Sequence, residues 1–88
     1  MREVTINGKL FQVRGLKRKE VKQLRKEGLP LMNLQPENAE EAQDRVFEMV
    51  FNEGELAIID EMDNKDALRL WQEILAETYG VGDETKNS

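Results

Sequence analysis

Asn7-Gly8, set between the runs REVTI and KLFQVR, constrains this chain more than any other pair of residues. A two-residue link between strands needs positive φ at both positions, which Asn and Gly tolerate best. So short a loop also fixes the pairing: Ile6 opposite Lys9, Thr5 opposite Leu10, Val4 opposite Phe11. Val4, Ile6, Phe11 and Val13 then share one face, and Glu3, Thr5, Leu10 and Gln12 the other. A slip of one residue would turn the apolar face to water, so the register is well specified. An isolated hairpin is only marginally stable, so its apolar face must pack on helices.

The main donor to that packing is the stretch 63–81, DNKDALRLWQEILAETYGV, which holds the only Trp and the only Tyr. Ala67, Leu68, Trp71, Ile74, Leu75 and Thr78 recur at helical spacing and form one apolar stripe. Asp63 and Asn64 can cap its start. Gly80 suits the left-handed residue that closes a helix, and Val81 can fold back on the last turn.

Between these ends, Gly15 breaks the second strand and a short helix follows over about 17–27, with Val21 and Leu24 inward. Gly28, Leu29 and Pro30 mark its end, and Arg25 and Lys26 suit its negative C-terminal pole. Lys17, Arg18 and Lys19 crowd its positive pole with no good cap. Either the helix begins a turn later or the cluster meets acidic groups. A linker over 29–36 is expected to tuck Leu31, Met32 and Leu34 under the core. A second helix is expected from near Asn38, where Asn38 and Glu41 have capping-box spacing, to about Asn52. Val46, Met49 and Val50 give its stripe, Phe47 and Phe51 widen it, and Gly54 ends or kinks it. The run ELAIIDE at 55–61 is too short for periodicity to decide. A short helix is the preferred reading and a strand the alternative.

The fold expected is therefore α+β: an N-terminal two-stranded antiparallel hairpin packed on three to four helices. It forms one domain over 1–82, followed by a polar, flexible tail over 83–88. At 88 residues, such a domain buries only about 60 to 65 per cent of its unfolded surface. The chain is 39% hydrophobic and 35% charged, yet its apolar residues are clustered, which argues against wholesale disorder. It has no Cys, hence no disulfide framework. No apolar run approaches the roughly 18 residues of a membrane span, and MREVTINGK lacks the apolar core of a signal peptide. These features fit a cytoplasmic protein.

The net charge of −5 is unevenly spread. Residues 1–28 carry nine Lys/Arg and three Asp/Glu, a net of +6, and residues 29–88 carry four and fifteen, a net of −11. The halves can neutralise each other in the fold, or each can meet a partner of opposite sign.

Catalysis is hard to assemble from these residues. There is no His and no Cys, the commonest general base and the best thiol nucleophile. The Ser and Thr residues have no recognisable base beside them, and paired carboxylates need a cleft that so small a helical domain has little room for. Asp60, Glu61, Asp63 and Asp66 lack calcium-loop spacing and the turn glycine. Gly15, Gly28 and Gly54 punctuate structure and form no phosphate loop. No catalytic, cofactor-binding or metal-binding residue is expected, and the chain is read as a non-enzyme.

Nucleic-acid binding is the serious rival to protein binding. Arg14, Lys17, Arg18, Lys19, Lys22, Arg25 and Lys26 could line one side of the first helix and contact phosphates. Against this, no stacking aromatics interleave with them and the whole chain is acidic. A solvated basic surface is the preferred reading of the cluster. Membrane attachment is weaker, since Val21 and Leu24 alone form that helix's apolar side.

The order of elements resembles a known family. VTINGKLFQVRGL leads into a charged helix, acidic helices follow, and ALRLWQEILAETYG closes the chain before a polar tail ending Lys-Asn-Ser. This layout is similar to that of the small tail assembly chaperones of long-tailed bacteriophages and related prophages. The resemblance covers most of the chain in layout, with the hairpin and the closing helix as its specific parts. It implies a non-enzymatic protein of the bacterial host cytoplasm that binds the tape-measure protein while the tail tube assembles and is absent from the finished tail. It carries over no site residue and no cofactor. Often in that family a frameshift makes a longer form. Trp71 and the basic first helix are not features matched to the family. Met32, Met49 and Met62 could supply adaptable contacts to such a partner, or could fill gaps in an ordinary core. The leading expectation is a protein partner, a tape-measure or other tail protein. The alternative is a small nucleic-acid-binding regulator using the basic first helix, Lys17–Lys26. No membrane partner is expected, and the oligomeric state is left open.

Overall fold

The computed structural model describes residues 2–80. Two strands, β1 (Arg2–Ile6) and β2 (Lys9–Val13), lead into α1 (Arg18–Lys26). A 3-10 turn (Leu31–Asn33) follows, then α2 (Pro36–Val50), α3 (Glu53–Glu61) and α4 (Asn64–Tyr79). The fold is the expected α+β hairpin with four helices. Val4 pairs with Phe11, Thr5 with Leu10 and Ile6 with Lys9. Asn7 (φ 52°) and Gly8 (φ 81°) both take positive φ, as a two-residue hairpin turn demands. Val4, Ile6, Phe11 and Val13 are all buried.

The helix α4 packs across both strands. Its innermost side chains are Leu70, Trp71 and Ile74, so the stripe expected from Leu68 and Leu75 is rotated toward Leu70, which is fully buried. Leu68 and Leu75 are only partly buried at its margin. Opposite, α2 contributes Ala42, Val46 and Phe47. Phe51 lies edge-on to Phe11, with ring centres 5.9 Å apart and planes at 76°, a favourable aromatic geometry.

Several helix boundaries have a local cause. At the end of α1, Leu29 N donates to Leu24 O (2.8 Å) and Gly28 N to Arg25 O (3.1 Å), with Gly28 at φ 84°. This is the Schellman arrangement that Gly28 and Leu29 foretold. Gly80 is left-handed (φ 66°), and its N–H donates to Ala76 O. Asp63 stands at the cap position of α4, but its side chain makes no capping bond.

Three expectations are corrected. The helix α2 starts at Pro36, not near Asn38. Proline fits the first helical position, where its missing N–H costs nothing, and Asn38 acts one turn in, accepting from Gln35 N at 3.0 Å. Gly54 neither ends nor kinks α2. It lies in the first turn of α3, which Asn52 caps by accepting from Glu55 N (2.8 Å) while Glu55 accepts from Asn52 N (3.0 Å). That reciprocal capping box makes 55–61 helical. Finally, Met32 does not tuck under the core: it is 80% exposed, whereas Leu31 and Leu34 pack against the core. The return of Val81 and the tail over 83–88 lie outside the described residues.

Gly15 does more than break a strand. A Cβ built on it would sit 2.6 Å from Glu77 O and 2.9 Å from Thr78 N, so the chain passes directly over the backbone of α4. The next residue completes the contact: Leu16 N donates to Thr78 Oγ1 at 2.9 Å, and that hydroxyl donates to Ile74 O at 2.7 Å.

Candidate binding surfaces

The basic cluster divides into one structural residue and six surface residues. Arg14 forks onto Glu20, with Nη1–Oε1 2.9 Å and Nη2–Oε2 3.0 Å, and also donates to Met49 O at 2.7 Å. Glu20 in turn accepts from Lys17 N at 2.8 Å. One carboxylate therefore satisfies the N–H of Lys17 at the start of α1, whose first amides no side chain caps, and anchors the guanidinium that ties the end of β2 to α2. The hydrogen bond from Arg14 chiefly, helped by the Lys17 amide and nearby positive charge, holds Glu20 at about 2, against burial that acts the other way. Lys17, Arg18, Lys19, Lys22, Arg25 and Lys26 are exposed, and none forms an ion pair with a described residue.

Neutralisation between the two halves of the chain is correspondingly limited. Arg2 pairs with Glu73 and, at 3.5 Å, with Glu77. A further ion pair across the halves, among the described residues, runs in the opposite sense, with the Arg45 guanidinium forked on Glu27 at 2.9 and 3.1 Å. Two surfaces of opposite sign remain.

The first lies between α1, the 3-10 turn and the end of α4. A groove of about 220 Å³ is lined by Leu16, Val21, Thr78 and Tyr79, with Arg18, Lys22 and Arg25 along its rim. Through Val21, Arg25 and Tyr79 it continues into a small hollow lined by Pro30, Leu31 and Met32. Met32, 80% exposed, and Tyr79, 38% exposed, stand at this surface.

The second lies between α2 and α3. Hollows of about 260 and 200 Å³ share Asp44, Phe47, Ile59 and Asp60 and form one groove. Leu56, Met62 and Ala67 extend its apolar floor, and Glu40 and Glu48 extend its rim. Glu40, Asp44 and Glu48 recur every fourth residue and so form one acidic ridge. Partial burial, then the charges of Glu40, Asp60 and Glu48, raises the Asp44 pKa above its ordinary value.

Of the three methionines singled out from the sequence, Met49 and Met62 pack against the core and only Met32 is presented to solvent. Tyr79 was missed as a surface residue. It falls outside the stripe of α4, and folding brings it beside Arg18, Lys22 and Arg25, supplying the aromatic neighbour that the sequence did not place among the basics. The acidic ridge of Glu40, Asp44 and Glu48 was missed in the sequence, although its four-residue spacing was there to be read. Asp60 and Glu61 end α3, whereas Asp63 and Asp66 begin α4. No set of three such side chains among the described residues is arranged to hold a metal ion, and no described helix is long and apolar enough to cross a membrane. The chain matches no protein-family model, no curated protein and no solved structure.

Proposed function

We propose that this chain is a non-enzymatic, helix-binding protein that docks its partner in the groove between α1, the 3-10 turn and the end of α4. The observation that carries the reading is Met32, an unbranched apolar side chain held 80% exposed at the end of a groove floored by Val21, Leu31 and Tyr79. Methionine adapts to varied apolar contacts, and a groove with apolar floor and charged rim suits one face of an amphipathic helix. Arg18, Lys22 and Arg25 select a helix with acidic residues beside its apolar stripe.

Within that class, the layout resemblance favours a tail assembly chaperone of phage or prophage origin, acting in the bacterial cytoplasm on the tape-measure protein. Long helical segments of such a partner expose apolar stripes until the tube closes round them, and large exposed apolar patches drive aggregation. Covering them with a small acidic protein keeps the complex soluble. The test is co-expression with a tape-measure fragment encoded nearby, followed by pull-down at low and high salt. The reading expects higher soluble yield and co-purification that survives moderate salt, since apolar contact is not screened. A fragment that stays insoluble and fails to co-purify at both salts overturns it.

A second reading, a nucleic-acid-binding regulator, gains from the place of Tyr79 beside three cations, because single strands bind to aromatic platforms in basic grooves. Anisotropy titrations with duplex and single-stranded DNA separate the two. Protein binding as the function expects affinity no tighter than the non-specific range, about 10⁻⁴ to 10⁻⁶ M at physiological salt. Submicromolar binding lost in Arg18→Glu with Arg25→Glu would favour the regulator.

A further inference from the structure

Met32 is held out of the core by its neighbours. It sits in the middle of the 3-10 turn Leu31–Asn33, which Asn33 N closes by donating to Pro30 O at 3.0 Å. Leu29 before it is buried, and Leu31 and Leu34 pack against the core on either side. With these leucines committed inward, the thioether between them is left 80% exposed. Met49 and Met62 carry the same side chain but pack against the core. Arg25 lines the same hollow as Met32 and has no ion-pair partner among the described residues. A thioether open to solvent and a guanidinium with donors to spare therefore share one small concavity.

We propose that Met32 is a site of reversible oxidation to methionine sulfoxide by hydrogen peroxide, and that the change closes the groove beside α1 to an apolar helix. In this step the thioether sulfur attacks one peroxide oxygen. An S–O bond forms as the O–O bond breaks. The proton on the attacked oxygen passes to the departing hydroxide, which leaves as water. Sulfur loses two electrons and the peroxide gains them. The product is polar where the parent side chain was apolar, and its oxygen accepts hydrogen bonds. Arg25, on the wall of the same hollow, has five N–H donors to offer it. That bond takes from the groove both its exposed apolar end and one cation of its rim. The modification itself needs no partner protein. Only its effect on docking rests on the helix-binding reading given above.

The test treats the full chain with hydrogen peroxide, native and in urea, and then digests it with trypsin. Cleavage after Lys26, Arg45 and Lys65 puts Met32 alone on one peptide and Met49 with Met62 on the next. Mass spectrometry reads the two peptides separately, and fragment ions resolve Met49 from Met62. In the native chain Met32 is expected to oxidise at least tenfold faster than either. In urea the three rates are expected to converge, because the order comes from the fold. Met49 or Met62 oxidising as fast as Met32 in the native chain overturns the site. For the consequence, the probe is a fluorescein-labelled helical Leu/Glu peptide of about 15 residues, without methionine and long enough to hold a helix on a surface. Anisotropy compares the parent with Met32→Leu, each before and after peroxide treatment, with the peroxide removed before mixing. Oxidation is expected to weaken binding to the parent at least tenfold, and methionine sulfoxide reductase to restore it. Met32→Leu is expected to bind like the reduced parent and to be indifferent to peroxide. Equal weakening in Met32→Leu, or none in the parent, overturns the switch. A peptide that binds neither reduced protein counts against the helix-docking reading and the switch together, while the native order of oxidation still decides the site.

Discussion

Gly15→Ala is expected to be the most damaging single-methyl change in the described part of the chain. The added Cβ would lie 2.6 Å from Glu77 O, 2.7 Å from Glu77 C and 2.9 Å from Thr78 N. These are backbone atoms of α4, so no side chain can swing aside. Either α4 moves away, loosening Leu70, Trp71 and Ile74, or the link from β2 to α1 lifts and gives up the bond from Leu16 N to Thr78 Oγ1. Overpacking of this kind costs about 1–3 kcal/mol, and a lost hydrogen bond adds about 1 kcal/mol. At roughly 4–8 °C per kcal/mol for a domain of this size, the melting midpoint should fall by about 8–30 °C. Gly54→Ala is the matched control. Its Cβ would meet nothing closer than Asn52 Oδ1 at 3.5 Å, an ordinary contact, and it sits in the first turn of α3. There alanine is expected to stabilise by about 0.5 kcal/mol, because glycine loses more backbone freedom in a helix. Thermal melts by circular dichroism would compare the three proteins. A Gly15→Ala midpoint within about 3 °C of the parent, well below the expected drop, would refute the close-approach argument.

Three further outcomes follow from other parts of the fold. Gly8→Val places a β-branched residue at φ 81° and should destabilise by about 1 kcal/mol or more, read as a lower midpoint in the same melts. Glu20→Gln weakens the Arg14 clamp and should cost about 1–2 kcal/mol at pH 7, after allowance for solvent screening. Because Glu20 titrates near 2 in the fold against an ordinary 4.5, its contribution is complete above 4.5 and fades as pH falls toward 2, so the gap from the parent in urea titrations should narrow at pH 2.5. Asp44→Asn should act in the other direction: a raised carboxyl pKa means that charging Asp44 opposes folding, so removing the charge should raise the midpoint at pH 7 and leave it nearly unchanged in acid.

The hairpin was legible because every determinant of it is local: the turn pair, the alternation and the register follow from about a dozen residues. The C-terminus of α1 was legible for the same reason. Capping was read less well where two signals competed. Gly54 drew attention as a helix breaker, and the Asn52–Glu55 capping box around it went unread, although the spacing was present. Lys17, Arg18 and Lys19 looked wrong for a helix start because the remedy, Glu20 held by Arg14, needs a long-range clamp from β2 to Met49. In α4, Leu68 and Leu75 looked central by spacing alone. The hairpin lies against the Leu70–Ile74 side instead, a choice made by tertiary packing. The two grooves were least legible. Each is defined by elements far apart in sequence, Val21 with Tyr79 in one and Phe47 with Ile59 in the other, and no periodicity in a single segment encodes that adjacency.

The central claim is that the surface around Met32 and Tyr79 receives a helix. Its most direct test is a ¹H–¹⁵N and methionine-methyl NMR titration of the full chain with a soluble helical fragment of the tape-measure protein encoded nearby. The account expects shifts concentrated at Val21, Arg25, Met32 and Tyr79, and at least tenfold weaker binding for Met32→Ser with Tyr79→Ser. Saturable binding that leaves those four positions unmoved and shifts the outer hairpin face around Leu10 instead would contradict it.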